Sequence, residues 1–137
     1  MKTQTIFVRF LFLMFFLFVS ILGCTSMKHV ESAEGTGKKV TFNKDFESVW
    51  TATLSVLGTL PLNIEKNDKK VGKIFAHRPA GFFTSSWGEN VGIFVKKISS
   101  SQTSIEVVSK KVVSGNIFAT DWSHEIIAKI SDQIDEH

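Results

Sequence analysis

The side chains that most readily supply catalysis or bind metal are few in this chain of 137 residues. No two of its histidines are close enough in sequence to share a helical turn or a tight loop, as paired zinc ligands commonly do; they are His29, His77, His124 and His137. No serine lies in a Gly-x-Ser-x-Gly turn, which exposes the nucleophile of α/β-hydrolases. These features predict a protein that is not an enzyme and that uses no metal and no cofactor.

Cys24 is the only cysteine, and it follows a segment with the three parts of an export signal. A short positive stretch precedes an unbroken and nearly entirely apolar run at residues 10–22, and Gly23 ends that run. An uncleaved membrane-spanning helix is the alternative, but such a helix needs about 20 apolar residues. Residues 6–22 would only just suffice, and only if Arg9 extended its charge into the interface. We therefore expect a cleaved signal.

The sequence Ile21-Leu22-Gly23-Cys24 resembles the lipobox, the processing motif of bacterial prolipoproteins. The resemblance implies that residues 1–23 are a signal peptide, that a diacylglyceryl group is attached to the Cys24 thiol, and that signal peptidase II cleaves between Gly23 and Cys24. The new amino terminus is then usually acylated, as with palmitate. Two or three acyl chains anchor a protein lastingly, since each buried methylene contributes about 0.8 kcal/mol. By similarity to enterobacterial sorting rules, Thr25 after the cysteine favours the outer membrane, facing the periplasm.

Residues 24–37 have little apolar content and no periodicity, which predicts a lipidated N-terminus followed by a flexible tether. Such a tether would reach about 45 Å fully extended and about 20 Å as a random coil. Residues 38–137 are then the single folded domain. Removing Lys2 and Arg9 with the signal lowers the formal net charge from +3 to about +1. A domain with so little net charge is not expected to bind nucleic acid.

Apolar periodicity divides the domain into two helices and four or five strands. Steps of three and four residues indicate one helix over residues 46–60, with Asn43 or Asp45 as its cap, and another over 118–134. Runs that are alternating or rich in β-branched residues indicate strands at 38–42, 62–67, 71–78, 90–98 and 103–113. We expect an α+β fold, a two-layer sandwich in which an antiparallel meander of four to five strands carries both helices on one face.

The order of elements is β-α-β-β-β-α, behind a lipobox and a short tether, with Gly72-Lys73-Ile74-Phe75-Ala76 in the middle strand. This arrangement is similar to that of small bacterial lipoproteins grouped in families of unknown function. The similarity covers most of residues 42–134 and implies a fold and a compartment, but no chemistry. Gly72 itself predicts a bulge or a close approach between backbones.

One connection, Pro79–Gly88, contains three large aromatic side chains where polar residues are the rule. Phe82, Phe83 and Trp87 have two interpretations. They either fold back over an open end of the core or form a recognition surface for a partner.

Basic side chains gather at both ends of the predicted sheet. The end that carries the aromatic connection has Arg78, Lys110 and Lys111, and the other end has the pairs Lys69-Lys70 and Lys96-Lys97. Aromatic side chains beside cations would suit an anionic partner or an acidic lipid headgroup. Lysines at strand ends are otherwise typical of sheet edges that stay soluble.

Two functions remain open at this point. The first is a membrane-anchored envelope lipoprotein that acts without catalysis, as a binding or assembly module whose aromatic connection contacts an envelope protein or an anionic envelope component. The alternative is a small ligand carrier or hydrolase with a pocket between the helices and the sheet, lined by polar groups around His77 or His124. A deep cavity would favour the alternative, and a filled core would count against it.

Overall fold

The computed structural model of the chain describes residues 25–79, 88–112 and 120–135. Cys24 and the aromatic residues of the Pro79–Gly88 connection lie outside the described residues, and so do the first residues of the predicted C-terminal helix. In chain order the elements are α1 (Thr25–Glu31), β1 (Lys38–Phe42), α2 (Phe46–Thr59), β2 (Asn63–Asp68), β3 (Lys73–Arg78), β4 (Glu89–Lys97), β5 (Thr103–Lys111) and α3 (Trp122–Asp135).

The strands form one antiparallel sheet in the order β1-β5-β4-β3-β2. Strands β2 to β5 are a meander in which each strand pairs with the next in sequence. β1 pairs with the free edge of β5, from Lys38 opposite Val107 to Phe42 opposite Thr103. Helices α2 and α3 pack on one face through a shared apolar core. The predicted α+β sandwich, with two helices on one face of an antiparallel sheet, is confirmed.

Helix α2 begins and ends where its sequence dictates. Asp45 is the N-cap, because its carboxylate accepts hydrogen bonds from the Ser48 backbone N–H at 3.0 Å and from the Ser48 hydroxyl at 2.8 Å. These two bonds hold the pKa of Asp45 below its ordinary value. Leu60 is extended, as expected for a residue that precedes Pro61. Asn43, the other possible cap, instead accepts a hydrogen bond from the hairpin between β4 and β5.

One apolar core fills the space between the two long helices and the sheet. Alternate residues of the central strands point into it, including Val91, Ile93 and Val95, as the alternation in β4 predicted. Burying each large aliphatic side chain contributes about 1.5–3 kcal/mol, so this layer supplies much of the driving force for folding. The apolar side chains of this core with no exposed surface are Val49, Leu57, Ile74, Val91, Ile93, Ile105, Val107, Ile126 and Ile130.

Gly72 lies where the start of β3 comes too close to β4 for a side chain. Its φ of +69° is in the left-handed region that favours glycine, and a Cβ at this position would collide with the Val95 carbonyl oxygen. The Val95 N–H donates to the Gly72 carbonyl at 2.8 Å. The close backbone approach predicted for this glycine is confirmed.

The opposite face of the sheet is covered by α1. Val30 of α1 has no exposed surface, and Ala33, just after the helix, is also buried. Both pack on the centre of this face, against Phe75, Phe94 and Val108. The two phenyl rings meet nearly at right angles, with centroids 6.1 Å apart. A second, smaller core thus lies beneath α1.

The prediction that residues 24–37 are a flexible tether is wrong for the described part of that segment, which begins at Thr25. Met27, Val30 and Ala33 recur at steps of three, a stripe too short to identify a helix from sequence alone. The reason that α1 packs on the sheet lies in the strands, whose large apolar side chains on this face must be covered; these are Phe75, Phe94 and Val108. The folded domain accordingly includes α1 and does not start at β1.

Gly92 of β4 lies directly beneath α1, where a Cβ would collide with a methyl group of Val30 and press on the Phe94 ring. We expect Gly92→Ala to displace α1 and to lower the free energy of unfolding by about 1–3 kcal/mol. Gly58→Ala in α2 is the matched control. A Cβ there meets no atom within 4 Å, so this change should raise stability by about 0.5–1 kcal/mol through helix propensity. Denaturant titration measures both, and effects of the same sign would contradict the docking of α1.

Candidate functional site

Opposite charges meet at the end of the sheet where β3 ends and β4 begins. Arg78 lies opposite Glu89, and Glu89 lies opposite Lys111 on the next strand, with Lys110 beside it. The prediction that Arg78, Lys110 and Lys111 share one end of the sheet is confirmed. The aromatic residues predicted to join them lie outside the described residues; they are Phe82, Phe83 and Trp87.

Arg78 is engaged with the protein rather than extended into solvent. Its guanidinium carbon lies 5.6 Å from the centroid of the Trp122 ring, and its Nη1 lies 3.8 Å from Glu89 Oε2. The Arg78 side chain is 22% exposed and that of Glu89 only 1%. A carboxylate this deeply buried needs a nearby cation to offset its desolvation. Arg78 therefore closes this end of the core, and Lys110 and Lys111 are the exposed members of the predicted set.

The other end of the sheet carries two exposed aliphatic side chains that the sequence analysis did not single out. Val71 in the turn before β3 is 60% exposed, and Ile98 in the turn after β4 is 55% exposed. The lysine pairs 69–70 and 96–97 lie at this end, as predicted. Each aliphatic residue directly follows one lysine pair in the sequence. The same pattern occurs at Lys110-Lys111-Val112, where Val112 is 51% exposed at the opposite end of the sheet, so the pattern alone could not have identified this surface.

A buried carboxylate holds the turn that follows α1. Glu106 Oε1 accepts hydrogen bonds from the backbone N–H groups of Gly35 and Gly37, each at 2.7 Å, and Oε2 lies 3.5 Å from Lys39 Nζ. The Glu106 side chain is 8% exposed. Hydrogen bonds to a charged acceptor are stronger than neutral ones, so they offset the cost of burying this group. The arrangement fixes the path of the chain from α1 into β1.

Lys73 of β3 holds the same segment from the other side. Its Nζ lies 3.0 Å from Glu34 Oε2 and 3.7 Å from Glu31 Oε1, and it stands 5.6 Å from the centroid of the Phe94 ring. The hydrogen bond to Glu34, together with the two negative charges, raises the pKa of Lys73. Because the folded-state pKa is raised, the stabilising contribution is complete below the ordinary lysine pKa and is lost only as the solution becomes strongly alkaline.

Among the described residues, the two histidines considered for the alternative function have different partners on different elements. His77 Nδ1 lies 2.8 Å from Glu65 Oε1, on the face of the sheet that α1 covers. His124 Nδ1 lies 2.7 Å from Lys38 Nζ at the exposed surface of α3. A groove of about 560 Å³ lies between α2 and α3, and its lining contains neither histidine; it consists of Lys44, Glu47, Ser48, Thr51, Ala52, Gln133 and Ile134.

Within residues 25–79, 88–112 and 120–135, no group of three or more histidine, cysteine, aspartate or glutamate side chains is placed to hold a metal ion. No helix in the same ranges is both long enough and apolar enough to cross a membrane.

The chain matches no protein-family model and no curated protein. Among solved structures it is similar to the crystal structure of an uncharacterized protein from Bacillus thuringiensis, with a TM-score of 0.51 and 14% sequence identity. The similarity covers 72% of this chain and 94% of that one. At this identity the similarity bears on the fold alone.

The turn held by Glu106 can be tested by replacing its charge. Glu106→Gln keeps the size of the side chain but removes the negative charge that accepts from Gly35 and Gly37. We expect the free energy of unfolding to fall by about 1–3 kcal/mol, with faster hydrogen exchange at both glycine amides. Glu125→Gln on the exposed side of α3 is the control, with an expected change within about 0.5 kcal/mol. Unchanged exchange at the two glycines would show that the carboxylate does not hold this turn.

Proposed function

We propose that this chain is the precursor of a bacterial envelope lipoprotein, held on a membrane by lipid attached to Cys24. The observation that carries the proposal is the sequence Ile21-Leu22-Gly23-Cys24 at the end of an apolar leader. A cut before Cys24 would leave intact every element that the structure describes, the first of which is α1. The outer membrane, with the domain facing the periplasm, is the favoured address.

We infer that the mature protein acts by binding rather than by catalysis, as an assembly or binding module. The continuous apolar cluster between the helices and the sheet supports this, since its described members carry no catalytic group. The proposed contact surface is the sheet end with Lys110 and Lys111, together with the aromatic connection between β3 and β4. An envelope protein or an anionic envelope component is the partner that aromatic and basic side chains would suit; the aromatic members are Phe82, Phe83 and Trp87.

A small ligand carrier or hydrolase is the second candidate. The groove between α2 and α3 is the observation in its favour, since its volume of about 560 Å³ is within the range of small-molecule sites. Its polar lining includes Lys44, Glu47 and Ser48. The histidines that could act as a general base lie elsewhere, which is why we place this function second.

The anchor is tested by Cys24→Ala. Wild-type protein extracted from membranes should begin at Cys24 and carry fatty acid, because the thiol is the proposed acceptor of the diacylglyceryl group. The variant should accumulate as the full-length precursor without lipid. Intact-mass spectrometry and acyl labelling measure both properties, and Ser26→Ala, which leaves the thiol in place, should be processed normally. Native protein that begins at Met1 and carries no fatty acid would overturn the proposal.

The binding surface is tested by replacing its three aromatic residues together with serine, at positions 82, 83 and 87. We expect recovery of a co-purifying envelope partner to fall at least several-fold, because exposed aromatic anchors dominate binding energy. The far-UV circular dichroism spectrum should stay unchanged. The matched control is Val71→Ser with Ile98→Ser, which removes exposed aliphatic surface at the opposite end of the sheet. Equal recovery with the aromatic variant and the wild type would reject this surface.

A further inference from the structure

We propose that the folded domain rests directly on the bilayer, with the side that bears α1 toward the lipid headgroups, and that it does not stand off on a tether. This inference depends on the lipid anchor proposed above. The observation behind it is that Cys24 lies directly before α1 in the sequence. The residue proposed to carry the acyl chains is followed, without a spacer, by a helix that is packed on the sheet.

The connection between the anchor and the packed domain is very short. Thr25 and Ser26 alone separate Cys24 from Met27, which packs against the small core beneath α1. From Cys24 to Met27 the chain spans about 5 Å if helical and about 11 Å if fully extended. A tether through residue 37 would have reached about 45 Å. The permitted distance between domain and membrane is therefore about one quarter of what composition alone suggests.

Apolar packing and polar contacts hold α1 on the sheet. The connection between Cys24 and the domain therefore does not lengthen by detachment of the helix. Val30 fills the space above Gly92, where even a methyl group would not fit. Lys73 pairs with the two glutamates at and after the end of the helix. Glu106 then holds the backbone of the following turn through the two glycine N–H groups. Releasing α1 would break all three sets of contacts and expose the phenylalanine pair beneath it.

Geometry selects the side of the domain that meets the bilayer. The sheet lies between α1 and the layer formed by α2 and α3, and packed layers are about 10 Å apart. The outer surface of α2 is thus more than about 20 Å from α1, beyond the reach of the connection. The exposed side chains of the α1 segment remain, and these include Lys28, His29, Glu31, Ser32 and Glu34.

Charge on this side does not oppose the approach to a membrane. The two acidic side chains that accompany α1, Glu31 and Glu34, share the single cation Lys73. The buried carboxylate of Glu106 has Lys39 beside it. Lys28 adds an exposed positive charge in the last turn of α1, which is attracted to anionic headgroups. Lys28, Lys39 and Lys73 therefore balance Glu31, Glu34 and Glu106, so the named groups carry no net charge.

The test places a single fluorescent probe on either side of the acylated protein. Cys24 is the only cysteine and its thiol is proposed to be acylated, so an introduced cysteine would be the one free thiol. His29→Cys lies on α1, and Ser55→Cys lies on the exposed side of α2 as the matched control. Both labelled proteins are reconstituted in bilayers that contain headgroup spin-labelled lipid. Collisional quenching of the probe by these headgroups is measured.

We expect several-fold stronger quenching at position 29 than at position 55. A Gly-Ser insertion of about twelve residues between Cys24 and Thr25 adds roughly 20 Å of reach, and it should abolish the difference without changing the circular dichroism spectrum. Val30→Asp, which undocks α1 from within, should have the same effect.

The outcomes separate this inference from the function on which it depends. Equal quenching at both positions in acylated protein, or a difference that the insertion leaves intact, would overturn the docking on the bilayer while leaving the lipoprotein proposal in place. Purified native protein without an acyl group, found by mass spectrometry, would overturn the anchor and the docking together.

Discussion

Strands β4 and β5 are buried on both faces, and the arrangement of the rest of the chain follows from that constraint. β4 is buried continuously from Glu89 to Val95, and β5 from Ile105 to Val108. An antiparallel sheet usually leaves one face to water, but successive large apolar residues remove that option. Helices α2 and α3 cover one face, and α1 is recruited to the other. The edge strands β1 and β2 are mostly exposed and require no such cover.

Most of the fold could be predicted because the dominant patterns are local. The helical stripe after Phe46 and the alternation of Val91, Ile93 and Val95 determine element types without reference to the rest of the chain. Helix α1 could not be predicted from a local pattern of this kind. Its stripe is short, and the signal for it lies about 60 residues away, where Gly92 and Phe94 occupy the alternate positions of a strand already apolar on its other face. The sequence shows that β4 has apolar residues on both of its faces. Only the three-dimensional arrangement shows that residues 25–33 cover the second face.

The position of the basic residues of the candidate surface could be predicted from the sequence. The burial of Glu89 and its pairing with Arg78 could not. Strand register alone puts Arg78 and Lys111 at the same end of the sheet, because consecutive antiparallel strands end where their neighbours begin. The role of Glu89 was missed, since a single acid at the start of an apolar run does not reveal whether it will be buried. Its burial changes the meaning of Arg78, whose charge is used inside the protein against Glu89 and Trp122.

The carboxylate of Glu106 also sets an order of events. It lies 71 positions after Gly35 in the chain, so the turn it clasps cannot close until β5 has been made and paired. In a chain exported and processed as proposed above, the residues around Cys24 would leave the translocation channel before Glu106 does. The proposed acylation site would then be exposed before Glu106 is present to hold the turn after α1. The distance in sequence between Gly35 and Glu106 would in this way allow acylation of Cys24 to precede the docking of the α1 segment.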